Sequence, residues 1–72
     1  MPTETTALLR ANLRAELARN GLSQREMAEH LGLSQGSVSS RMRGEIDFGV
    51  AEIIAVAEWL DVPVSALIPD AA

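Results

Sequence analysis

Seventy-two residues allow one small domain, and such a chain buries only about 60% of its extended surface on folding. With 47% hydrophobic and 22% charged residues, no cysteine, one histidine and no tyrosine, it excludes wholesale disorder, disulfides and thiolate metal sites. It also leaves poor material for catalysis, and the net charge of −4 argues against nucleic acid if taken whole. The average conceals an asymmetry: residues 1–44 hold all six arginines against four glutamates, whereas residues 45–72 hold six acids and no base. One face can therefore meet an anion while the other cannot, although an unevenly divided solvated surface gives the same arithmetic.

Along the chain, Leu9, Leu13 and Leu17 recur every four positions and predict a first helix over about 6–19. Thr5 or Thr6 is its expected N-cap, and Asn20-Gly21 supplies a left-handed stop. Ser23-Gln24-Arg25-Glu26 then reads as a capping box, flanked by Leu22 and Met27 at the two positions of a hydrophobic staple. The device recurs with Leu33, Ser34 and Val38. It predicts helices over 24–31 and 35–42, too short to be stable alone. Arg43-Gly44 leads into a loop over 45–49, and a helix follows at about 50–60 with Ile53, Ala57 and Leu60 on one stripe. Asp61-Val62-Pro63 is expected to break it, because proline disfavours helix in the preceding residue. Pro63 suits the opening turn of a last helix over 64–68. The reading is all-α, five helices, in one domain over 1–72.

Two short helices joined by a tight turn with glycine are a helix-turn-helix by geometry. Counting Gln24 as first, Ala28 is fifth, Gly32 ninth and Val38 fifteenth. A close crossing needs a small residue at Ala28, the turn needs positive φ at Gly32, and Val38 plugs the second helix onto the first. An α-hairpin inside some other helical bundle would show a similar turn. With both stapled caps in register, however, this spacing resembles the DNA-binding domain of the phage Cro and lambda-repressor-like family, the XRE type, over about 7–68. Two features depart from the family pattern. Arg41 stands where an apolar residue is usual, with Met42 as the displaced anchor, and the segment before Ala7 carries Glu4 and no basic arm. Arg41 then either lies at the phosphate boundary or merely covers the core with its stem.

The resemblance implies that the second motif helix enters the major groove with its N-terminal residues at base edges. The contact set it implies is Gln24, Ser34, Gln35, Gly36, Ser37, Ser39, Ser40, Arg41 and Arg43. Gln35 is the foremost candidate for direct readout, since its amide can bond adenine N6 and N7 together. Gln24 is placed to bond phosphate at a positive helix end, and Arg43 and Arg41 to neutralise phosphates. Arg25 is a weaker candidate. Gly36 either admits close approach to DNA or is tolerated near a helix start, and the serines offer little specificity.

Elsewhere, Phe48 is expected to plug the loop onto the core. His30 reads as a helix-end or surface residue, with no second histidine or cysteine to complete a metal site. Trp59 falls off the apolar stripe of its helix and is expected to be exposed. With Val62, Pro63 and Val64 it forms the expected dimer contact, the competing reading being a lid on the last helix. The leading expectation is a sequence-specific double-stranded DNA-binding regulator, a repressor, acting as a weak homodimer strengthened on a two-fold operator. The alternative is a protein-interaction module, antitoxin-like or a decoy, using the acidic C-terminal half. No cofactor, small-molecule ligand or membrane partner is expected. Met1 to Thr6 has no basic or apolar signal region, and a cytoplasmic location in a bacterial cell is expected, with phage or host origin open.

Overall fold

The computed structural model describes residues 4–69. Five helices follow in order: α1 (Glu4–Arg19), α2 (Gln24–Leu31), α3 (Gln35–Met42), α4 (Val50–Leu60) and α5 (Val64–Leu67). No strand occurs among the described residues. Thr5 and Thr6 do not cap α1. Both lie inside its first turn, because the helix already runs from Glu4, and the residue preceding it lies outside the described residues. Leu9, Leu13 and Leu17 form the buried stripe of α1, all at 5% exposure or less.

Four of the five helices end in the same way. The residue after the cap, or the cap itself, turns left-handed at Gly21, Gly32, Gly44 and Asp61. Each turn is closed by a pair of backbone bonds of the Schellman type: Leu22 N–H to Leu17 O and Gly21 N–H to Ala18 O; Leu33 to Ala28 and Gly32 to Glu29; Glu45 to Ser40 and Gly44 to Arg41; Val62 to Ala57 and Asp61 to Glu58. The end of α4 therefore differs in cause from the expectation. The left-handed Asp61 stops the helix before Pro63 can act, and Pro63 stands as the N-cap of α5, immediately before its first residue Val64.

The core draws on every helix: Leu9, Leu13, Leu17, Met27, Ala28, Val38, Met42, Val56, Ala57, Leu60 and Leu67. On α4 the buried stripe includes Val56, at 1% exposure, beside Ala57 and Leu60, while Ile53 is half-buried. Phe48 packs against this core from the α3–α4 loop. Side chains of α1 then hold other helices by their ends. Asn12 Nδ2 donates to Leu67 O at 2.9 Å, fixing α5, and Arg14 Nη2 donates to Met42 O at 2.6 Å, fixing α3. The Arg10 guanidinium lies over Gly44, so close that a Cβ there would stand 2.9 Å from its Cζ. Two cations from one face of α1 thus meet the negative end of α3, where the helix dipole favours them.

Candidate nucleic-acid interface

The α2–turn–α3 unit is built from its caps. Ser23 Oγ accepts the Glu26 N–H at 3.1 Å, and Glu26 Oε1 accepts the Ser23 N–H at 3.3 Å, a reciprocal capping box. Ser34 Oγ accepts the Ser37 N–H at 3.1 Å and starts α3. Met27 and Val38 are fully buried and Ala28 is 3% exposed, which locks the two helices across one another. Gly32 holds φ at +70°, yet a Cβ on it would meet nothing within 4 Å. Its need is the dihedral and not the space.

This scaffold leaves one side of α3 open. Ser34, Gln35 and Gly36 are exposed, and Ser37, Ser39 and Ser40 are half-buried along the same short helix. Gln24 opens α2 half-buried. Neither positive φ nor a close neighbour demands glycine at Gly36, whose Cβ would come no nearer than 4.0 Å to Ser34 Oγ. The protein itself therefore supplies no reason for that glycine.

Arginines dominate the electrostatics, and Arg14, Arg19, Arg25, Arg41 and Arg43 each meet an intramolecular partner among the described residues. Arg41 is not a free cation at the surface. Its Nε and Nη2 reach Glu52 Oε1 and Oε2 at 2.9 and 3.3 Å, and its Nη1 donates to Ser37 O at 3.1 Å. Its side chain is only 15% exposed, and Met42 beside it is buried as the apolar anchor. Glu52 also accepts the Gly49 N–H at 3.0 Å, so one carboxylate caps α4 and ties it to α3. The Arg41 guanidinium, and then the Gly49 amide, hold that carboxyl below its ordinary pKa. Arg43 ends α3 and pairs with Glu45 through Nε at 2.8 Å and Nη2 at 3.2 Å. Here both side chains are more than half exposed. The pairing lowers the Glu45 pKa and raises that of Arg43. Arg25 pairs loosely with Glu29 at 3.7 Å on the exposed side of α2, and Arg19 with Glu16.

Sequence reasoning named Arg41 and Arg43 but missed what engages them. Glu45 two residues beyond Arg43 is a visible signal of opposite charge, whereas Glu52 lies a whole loop away and gives none. Arg10 and Arg14, four residues apart on α1, were likewise missed as supports for the end of α3.

The expected exposure of Trp59 is not observed. Its ring stacks on His30 with centroids 5.2 Å apart and planes at 15°, joining α4 to the end of α2, and it packs against the core. Val62 and Val64 are half-buried and Pro63 is exposed. The large apolar side chains that stand out are instead Leu8, Ile46, Val50 and Ile54, with Val50 at 75% exposure. No cluster of His, Cys, Asp or Glu fit to hold a metal occurs among the described residues, and no described helix is long and apolar enough to cross a membrane.

A doubly capped helix pair with an open second helix, braced by cations at its far end, defines a DNA-binding helix-turn-helix domain of the lambda-repressor-like fold. The helix-turn-helix family model matches residues 13–67, and the chain belongs to that family of DNA-binding regulators, the XRE type, rather than to an enzyme family. Among solved structures, it is similar to a hypothetical transcription factor from Neisseria, with 28% identity and a TM-score of 0.81 over 94% of this chain and 80% of that one. A transcriptional regulator from Listeria innocua shares the fold at 22% identity and a TM-score of 0.77. That match covers 89% of this chain but only 60% of the Listeria chain, so the present chain spans well under two thirds of that regulator. No curated protein matches the sequence significantly.

Proposed function

We propose that this DNA-binding regulator is a sequence-specific repressor that binds a two-fold operator, with α3 in the major groove. The observation that carries the reading is the open side of α3. Its first turn presents Gln35 and Gly36 to solvent, on a helix whose buried side is locked against α2 by Ala28, Met27 and Val38. Gln35 is the reading residue, through bidentate contact with adenine, and Ser37, Ser39 and Ser40 line the groove beside it. Gln24 and Arg43 lie on phosphates at either side, Gln24 at the positive end of α2. Ser34 serves mainly as the cap. Arg41 acts by positioning α3 against α4, since its guanidinium is engaged by Glu52.

A single reading helix of eight residues covers few base pairs, which favours a homodimer placing two such helices one DNA turn apart, about 34 Å. The corner of Val62, Pro63 and Val64, with the accessible part of Trp59, is the proposed contact. It is small against the roughly 1,200 Å² of a stable interface, so the dimer forms mainly on DNA. We place the whole chain in one domain acting in the bacterial cytoplasm. Selection of bound sites from a random pool of duplexes tests the reading: enrichment of one palindromic sequence is expected, and a pool returned without enrichment overturns it.

A further inference from the structure

Binding to DNA asks Arg43 for a charge that Glu45 already holds. The guanidinium at the end of α3 is met by both carboxylate oxygens of Glu45, at 2.8 and 3.2 Å, and Glu45 is held beside it by its backbone N–H, which donates to Ser40 O at 2.9 Å. A phosphate diester offers the same feature, two anionic oxygens able to accept a paired guanidinium together. We propose that Glu45 is an internal phosphate mimic that sets the DNA affinity of the domain, occupying Arg43 until a backbone phosphate displaces it. The proposal rests on the reading of α3 as the DNA-contacting helix and names a further affinity-determining residue for it.

Exposure separates this pair from the other tie at the helix. Arg41 and Glu52 are 15% and 25% exposed, carry the cap of α4 and bond the α3 backbone, so that pair is built into the fold. Arg43 and Glu45 are 58% and 57% exposed, and their link joins two side chains only, so it can open without disturbing a helix. Exchanging Glu45 for phosphate leaves a carboxylate beside the duplex, which cancels much of the gain from neutralising one phosphate. With Arg14 and Arg41 engaged within the protein, this one exchange has weight in a domain of net charge −4.

The test uses the full chain and a fluorescein-labelled mixed-sequence duplex, read by anisotropy at low salt, with Glu45→Gln, Arg43→Ala, the double variant and Asp47→Asn. Asp47→Asn removes a neighbouring exposed acid and reports the effect of net charge alone. Glu45→Gln is expected to tighten binding about three- to tenfold, in the range of freeing an exposed ion pair and removing one repulsion. Placed in the Arg43→Ala background, the same change should do no more than Asp47→Asn does. A gain undiminished in that background, or no larger than that of Asp47→Asn, would overturn the mimic and leave Glu45 as one surface charge among several. The DNA reading would then survive if a selected site is still preferred over the mixed duplex. If neither the wild type nor Glu45→Gln binds any duplex, both fail together.

Discussion

Glu52 does at the level of a single side chain what the sequence around it does not announce. Its carboxylate neutralises Arg41, caps the first turn of α4 and joins the reading helix to the next one. Glu52→Ala removes all three bonds and strands a largely buried guanidinium, so a loss of about 1–2 kcal/mol is expected. For a domain of this size that lowers Tm on the order of 10 °C, measurable by calorimetry. The effect depends on pH with a definite sign. Because the folded pKa of Glu52 is depressed, its contribution is present above the ordinary carboxylate range and is lost as pH falls through the lowered value. The melting gap between wild type and Glu52→Ala should therefore hold near neutrality and narrow as pH falls below the ordinary carboxylate range. A gap that stays constant would show that the Glu52 carboxylate contributes nothing through charge.

The helices test how the elements stop and cross. Among the four Schellman turns only α4 uses a residue other than glycine, Asp61 at φ 57°, which also sets a negative charge at the negative end of a helix. Asp61→Gly relieves both and should raise stability by about 0.5–1 kcal/mol despite the entropy of glycine. A fall in Tm would mean that Asp61 is held by interactions worth more than its strain. Ala28→Leu is the opposite case. Ala28 is 3% exposed at the α2–α3 crossing, and overpacking there should cost about 1–3 kcal/mol or unfold the domain. Melting like the wild type would mean that the crossing is not close. Both motif helices were legible because their signals are local: a cap serine, a glutamate three residues on, a staple and a glycine stop all lie within one turn. What was not legible is decided by distance. Thr5 and Thr6 looked like caps, but nothing in four residues of sequence says that a helix already runs through them. Trp59 fell off the Ile53–Ala57–Leu60 stripe, yet a ring that long reaches the core edge and finds His30 on another helix. The contact face of α3 was readable as the side opposite Val38 and Met42, whereas the partners of its arginines depend on how α1 and the 45–52 segment fold back onto it.

For the whole molecule, the arrangement reconciles an acidic chain with a polyanionic partner. The arginines lie in α1, α2 and α3 and at the C-cap of α3, and several of them brace the protein instead of facing outward, while the acids from Glu45 to Asp61 lie in the loop before α4, on α4 and at its C-cap. Non-specific affinity is therefore expected to be low and sequence readout to carry a large share of binding. The central claim is that α3 reads bases and that Gln35 leads it. Its most direct test is the affinity of the wild type and of Gln35→Ala for the selected operator and for its single-base variants, at fixed salt. The account predicts that Gln35→Ala loses about 1–3 kcal/mol on the operator and no longer discriminates at one base pair per half-site. Equal weakening on the operator and on all its variants, with every base preference intact, would contradict it.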